Sequence, residues 1–272
     1  MRAKHHVDVE RAKLSIGTLG GGNHFIEVGK SEAGEFYLVI HSGSRKLGTD
    51  ICTHYQKKAS KDIGKIDKKT ILKELKAEGR EKEISSELKK RKKSMPDRDL
   101  AHLSGEDFSD YMNDMAIVQK FASLNRATMA DIILDKAGLK EIERFETIHN
   151  YIDFDRMILR KGAVSAEKGE VLLIPINMRD GSLLCVGKGN ENWNYSAPHG
   201  AGRVMSRNQA KRELNMDDFK NTMKNVYSTS VGTRTLDEAP GAYKPIEEIK
   251  STIGDTAEII SFIKPLYNFK AH

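Results

Sequence analysis

The chain has 272 residues and a net charge of +6, from 45 Lys and Arg against 39 Asp and Glu, with 38% apolar and 31% charged residues. It can bury a core under a heavily charged surface. No run of 18 apolar residues is present, which excludes a helical membrane span, and Met1–His6 (MRAKHH) lacks the apolar centre of a secretory signal. The two cysteines, Cys52 and Cys185, form no CxxC pair. A disulfide framework is therefore not expected, and a cytoplasmic location fits.

In chain order, residues 17–22 form a glycine-rich loop (GTLGGG), and His24–Val28 is expected as a strand. A second, buried strand is expected over 35–41 (EFYLVIH), giving a hairpin. The loop Ser42-Gly43-Ser44-Arg45 follows, with a helix from about Thr49. Residues 57–100 read as a charged helical insert. Between Lys57 and Arg98 there are 16 Lys and Arg against 8 Asp and Glu, ending in Lys89-Lys90-Arg91-Lys92-Lys93. This stretch either attracts a phosphate backbone or is a solvated helical arm. Residues 107–136 have helical periodicity, with Phe108, Met112, Met115, Val118, Phe121, Ala122 and Met129 as the expected core stripe. Short strands are expected at 142–151, 156–164, 170–176 and 182–187. A helix is expected after Pro198, another beyond the turn at 239–243, and a closing strand over 261–269. Short strands and long helices without βαβ alternation point to an α+β fold.

Four histidines, His24, His41, His149 and His199, stand beside Gly, Asn or Ser at expected strand ends or loops. Single histidines are mostly surface or core residues; four in this setting point to a metal or phosphoryl site. In Pro198-His199-Gly200-Ala201-Gly202-Arg203-Val204-Met205-Ser206-Arg207, a helix would put His199, Arg203 and Arg207 on one face. Its N-terminus would offer N–H groups to an anion, the arginines would grip phosphate, and the histidine would attack phosphorus. An ordinary basic helix start reads equally well. Small residues around Ser42–Ser44 let backbone approach an anion beside Arg45. There is no GxxxxGK[ST] or GxSxG motif.

Together these segments resemble the RtcB family of RNA ligases. The resemblance rests on GTLGGGNHFIEV (17–28), VIHSGSRKLG (39–48), YMNDMAIVQKFASLNRATM (111–129), HNY (149–151), RKGA (160–163), PHGAGRVMSR (198–207), DEAPGAYK (237–244) and Lys270, in that order. It implies one RtcB-like domain over 1–272, with mixed short-stranded sheets packed against helices and the insert at 57–100. It also implies a GTP- and Mn²⁺-dependent ligase that joins an RNA 3′-phosphate or 2′,3′-cyclic phosphate to a 5′-hydroxyl through guanylylated His199. His24, His41 and His149 match metal ligands. Asn23, Glu27 and Asn150 match GTP contacts, as do Pro175, Ile176, Asn177, Met178 and Ser182, then Gly200, Ala201, Gly202, Tyr243 and Lys270. Arg45, Arg203 and Arg207 are the expected phosphate and RNA contacts.

The sequence departs from that family in one place with chemical weight. The family carries, ahead of this region, an Asp and a metal-bridging Cys in a DxGCG-like motif. Nothing like it occurs here, and neither Cys52 nor Cys185 takes its place. Three neutral imidazoles hold a divalent ion more weakly than a set that includes a thiolate. Residues 177–180 (NMRD) are also more polar than the family's version. A fragment of a longer ligase, half of a split enzyme completed by a partner chain, or a non-catalytic protein that binds nucleotide or RNA would each account for this. A histidine-metal phosphoesterase is disfavoured, because few acidic residues flank the histidines.

Overall fold

The computed structural model describes residues 1–61, 68–93 and 100–271. The fold is α+β, with helices and antiparallel sheets. The chain resolves into two compact units: Met1–Leu14 with Ser44–Lys120, and Ser15–Gly43 with Phe121–His272.

The first unit is helical. It contains α1 (Val9–Leu14), α2 (Arg45–Ser60), α3 (Lys68–Ala77), α4 (Ile84–Lys93) and the N-terminal half of α5 (Gly105–Ala137). Helix α2 starts at Arg45, four residues ahead of the expected Thr49, and buries Leu47, Ile51 and Tyr55 at four-residue steps. The polar centre is Asp114, fully buried on α5. Its carboxylate accepts from the backbone N–H groups of Arg2 (2.6 Å) and Ala3 (2.7 Å) and from the Tyr55 hydroxyl (3.1 Å). The basic run begins on α4 with Lys89 and Lys90; the side chains of Arg91–Lys93 and residues 62–67 and 94–99 lie outside the described residues.

The second unit holds two antiparallel sheets. The larger has the order β2-β1-β8-β6-β5, from β1 (Phe25–Lys30), β2 (Phe36–His41), β5 (Val171–Asn177), β6 (Gly181–Gly187) and β8 (Ala257–Lys270). The smaller has the order β3-β4-β7, from β3 (His149–Asp153), β4 (Ile158–Ser165) and β7 (Ser196–Pro198). Leu172, Ile174 and Ile176 alternate inward from β5. They meet Val164 of β4, Leu183 and Cys185 of β6, Ala197 of β7 and Ile249 of α8 (Ile246–Thr252). A second cluster gathers Met178, Phe219, Met223 and Leu236 beneath α7 (Met216–Thr222).

Three expectations are corrected. Helix does not begin at Pro198. Pro198 instead ends β7 opposite Ala163, and α6 runs from Arg207 to Glu213 with Ser206 accepting from Gln209 N. Residues 199–205 are irregular, because Gly200 and Gly202 favour loop over helix and Gly202 has φ 73°. The stripe on α5 is also different. Val118 and Met129 are buried as expected, but Phe108 is 42% exposed, and the buried positions include Asp114 and Asn125. Finally, residues 142–148 are not strand; β3 begins at His149.

Candidate active site

Within the second unit the four histidines lie in a row. His24 leads into β1, and His41 ends β2 opposite Phe25, so the hairpin sets these two imidazoles side by side with ring centres 5.8 Å apart. His41 stacks on His149 (5.1 Å, 16°), and His149 meets His199 at 4.9 Å. His149 heads β3, and His199 directly follows β7, so the smaller sheet presents both.

The hydrogen bonds decide which ring nitrogens are basic. His24 Nδ1 lies 2.7 Å from Leu19 O, and His199 Nδ1 lies 2.7 Å from Gly162 O. A carbonyl only accepts, so Nδ1 carries the proton in both rings and Nε2 carries the lone pair of the neutral form. His149 Nδ1 is buried and has no hydrogen-bond partner. Burial, reinforced by the charges of His149 and His24, lowers the pKa of His41 to about 3. Burial and the neighbouring His199 also lower that of His149. Both rings are therefore neutral donors at pH 7. Among the described residues, no three His, Cys, Asp or Glu side chains already converge as a metal-ion ligand set.

The loops carrying His24 and His41 are tied together by Asn125 of α5. Its side chain accepts from Thr18 N (3.1 Å) and donates to Thr18 O and Ser42 Oγ (3.1 Å each) and Gly43 O (3.3 Å). Arg126 donates to Ser42 O (3.1 Å). On the smaller sheet, Asn150 stands in a left-handed bulge (φ 57°) and accepts from Gly162 N (2.9 Å). Gly162 has φ 69°, and a Cβ there would lie 3.6 Å from the His199 ring. Asn150 thus shapes the turn that holds His199. Asn23 Nδ2 lies 3.5 Å from His41 Nε2.

Beside the histidines lies a set of buried polar groups. Glu27, 2% exposed, accepts from Asn268 Nδ2 at 2.7 Å, while its Oε1 has no partner. Burial raises its pKa to about 7, against the opposing effects of Asn268 and Lys270. Ser182 Oγ and Asn268 Oδ1 are also buried without partners. Buried orphans of this kind are costly, and the cross-strand pair Glu27 Oε1 and Asn268 Oδ1 suits a ligand that satisfies both. Lys270 Nζ lies 5.2 Å from the centre of the Phe25 ring and donates to Glu238 at 3.0 Å.

Arg203 and Arg207 turn toward acids. Arg203 donates to Met205 O (3.1 Å) and Asp237 O (2.5 Å) and lies over the Tyr243 ring. Arg207 pairs with Asp237 (2.7 Å) and Glu238 (2.6 Å). Glu238 also accepts from Tyr243 OH at 2.6 Å. Burial favours its neutral form, but Lys270, Tyr243 and Arg207 outweigh this and hold its carboxyl below the usual range. Pro175 O accepts from Ala201 N (3.1 Å), with Gly200 too close to that carbonyl for a Cβ to fit easily. The Ile176 and Met178 side chains point into the two cores. Asn177 closes the hairpin by accepting from Arg179 N and Asp180 N, which explains the polar NMRD turn. A cleft of about 390 Å³ opens beside Tyr243, lined also by Asn177, Arg179, Val204 and Lys244. Arg45 belongs to the first unit, at the start of α2.

The model of the tRNA-splicing ligase RtcB family matches residues 2–271. The chain belongs to the RtcB family. An RNA-splicing ligase RtcB of Escherichia coli K12 is 33% identical over 264 residues, spanning 90% of this chain and 58% of that protein. The tRNA-splicing ligases RtcB of Aeropyrum pernix and Archaeoglobus fulgidus are 27% and 26% identical, with 55% and 60% of their lengths matched. The chain thus spans somewhat over half the length of these RtcB relatives. Against the RtcB motifs, sequence reasoning missed Asn125, Gly162, Lys161 and Glu238. Asn125 was hidden in a helical stripe. Gly162 and Lys161, the latter lowering the pKa of His149 by its charge, stood in RKGA without a role. Glu238 was visible only as an acid in DEAPGAYK.

Proposed function

We propose that this chain carries the nucleotidyl-transfer centre of an RNA ligase that joins a 3′-phosphate or 2′,3′-cyclic phosphate end to a 5′-hydroxyl end, with GTP as co-substrate and RNA, including tRNA, as substrate. The observation that carries this reading is the imidazole row ending in His199, whose Nδ1 is held by Gly162 O. Nε2 of His199 attacks the α-phosphorus of GTP, a P–N bond forms, the α–β P–O bond breaks, and pyrophosphate leaves. A 2′,3′-cyclic end is first opened by water, which breaks the P–O2′ bond and leaves a 2′-hydroxyl and a 3′-phosphate. An oxygen of the RNA 3′-phosphate then takes the GMP from the histidine, whose P–N bond breaks. The 5′-hydroxyl attacks the activated 3′-phosphorus and expels GMP.

His24, His41 and His149 offer imidazole nitrogens, a donor type that favours Zn²⁺, Fe²⁺ or Ni²⁺ over the harder Mn²⁺, so Mn²⁺ rests here on the family resemblance alone. Burial keeps two of them neutral, and His149 has an unpartnered buried nitrogen. A divalent ion there would neutralise phosphoryl charge. Glu27 Oε1 suits the N–H edge of guanine and Lys270 its carbonyl side. Asn23 stands where a phosphate approaches His41. Arg203 and Arg207 position Glu238, and through it Lys270. Arg45 is assigned to the phosphate backbone of the RNA.

The test is mass spectrometry after incubation with GTP and Mn²⁺. A GMP adduct on the His199 peptide, absent in His199→Ala, is expected. Folded, metal-loaded protein that gains no adduct would remove the catalytic claim. A second reading, a fragment that binds GTP or RNA and needs a partner chain for chemistry, is favoured by one observation: no acidic or thiolate ligand joins the imidazoles among the described residues. It predicts salt-sensitive RNA binding without adduct.

A further inference from the structure

We propose that Arg160 is a positioning residue for the nucleophile: its buried guanidinium locks the three strands that carry His149, Gly162 and His199, and so fixes which nitrogen of His199 faces the α-phosphorus. This rests on the reading of His199 as the nucleophile.

Arg160 sits in the middle of β4 and is 2% exposed. Its Nη1 donates to Asp153 Oδ2 (2.6 Å) and Tyr151 OH (3.0 Å), both on β3. Its Nε donates to Ser196 Oγ (3.0 Å) at the start of β7. Its Nη2 reaches the carbonyls of Asn194 and Tyr195, at 3.5 Å each. One planar, permanently charged fork therefore spans all three strands, which a lysine ammonium cannot reproduce.

Two features connect this fork to the chemistry. Asn194 (φ 48°) and Tyr195 (φ 52°) are consecutive non-glycine residues in the left-handed region, a conformation that persists only where the surroundings enforce it. Their carbonyls accept at 2.8 Å from Ser196 Oγ and Ala166 N, with Arg160 adding a longer contact to each and gripping Ser196 itself through Nε, and four residues beyond Tyr195 the chain delivers His199. In the other direction, Gly162 lies two residues along β4 from Arg160 and offers the carbonyl that accepts from His199 Nδ1. On β3, the strand gripped through Tyr151 and Asp153 begins at His149. A register change in this sheet would separate His199 from Gly162 O and free the imidazole to exchange tautomers.

The experiment compares the parent with Arg160→Lys, and with the double substitution Arg160→Met/Asp153→Leu, which removes both charges should the single variant fail to fold. Arg144→Lys, an exposed arginine paired with Asp131 and Glu141, serves as the control. In metal-free protein, long-range ¹⁵N–¹H correlations of the His199 ring are expected to show the Nδ1–H tautomer in the parent and control, and a tautomer mixture in the Arg160 variants. With GTP and Mn²⁺, the maximal rate of adduct formation is expected to fall about 10- to 100-fold while half-saturating GTP moves less than about threefold, because only the nucleophile is displaced. A folded variant that melts earlier but keeps both the parental tautomer and the parental rate would overturn the proposal. A parent that shows the Nδ1–H tautomer but forms no adduct would instead refute the nucleophile reading and leave the tautomer comparison to decide the role of Arg160.

Discussion

Substituting Glu27 by Gln isolates a single buried ionisation. The carboxyl is 2% exposed, and burial raises its pKa from 4.5 to about 7. At about 1.4 kcal/mol per pH unit of displacement, this corresponds to about 3 kcal/mol. Because the folded state holds the proton to higher pH than the unfolded state, the favourable contribution is fully present below pH 4.5. It declines as pH rises and is exhausted just above pH 7. A glutamine amide in its place has no such dependence and keeps an acceptor for Asn268. Urea unfolding of both proteins from about pH 5 to about pH 8 should therefore show the variant gaining on the parent by up to about 3 kcal/mol across that window. A difference that stays constant with pH would refute the reasoning. The same carboxyl reports on the ligand. A guanine edge that donates to Oε1 favours the anion, so metal-free GTP binding near pH 7 should release about half a proton in the parent and none from this source in Glu27→Gln. Calorimetry in buffers of different ionisation enthalpy measures that difference.

Other substitutions test separate parts of the structure. Gly162→Ala places a Cβ 3.6 Å from the His199 ring at φ 69°; it should cost about 1–3 kcal/mol in urea unfolding and slow adduct formation more than tenfold. Asp114→Ala leaves two backbone N–H groups and the Tyr55 hydroxyl without their acceptor. A loss of about 3 kcal/mol is expected, read by denaturant unfolding, with hydrogen exchange at Ala3 rising in step. If the basic insert tracks single-stranded RNA, Lys89→Gln/Lys90→Gln should flatten the slope of log affinity against log salt by about 1.4, and an unchanged slope would assign these lysines to solvent.

What the sequence made legible was local. The hairpin around β1 and β2, the strand-end placement of His24, His41 and His149, and the closing strand each announce themselves through short apolar runs bounded by Gly, Asn or Ser, and such signals survive folding. What it hid depended on partners far along the chain. The step of four from His199 to Arg203 to Arg207 suggests a helix face, yet Pro198 is committed to β7 and Gly202 to a left-handed turn. The arginines find their carboxylates about thirty residues later or more. Asn125 likewise breaks the apolar stripe of α5 because it must bond to Thr18, Ser42 and Gly43, none of which periodicity can reveal. In both cases the outlier was a polar residue in a segment whose pattern called for something else. Burial of such a group demands a hydrogen-bonded partner. Asp237 and Glu238 in DEAPGAYK therefore required cations, and the two arginines after His199 were the residues able to reach them. An expectation built from charge satisfaction rather than helical spacing would have turned these arginines from the phosphate toward Asp237 and Glu238.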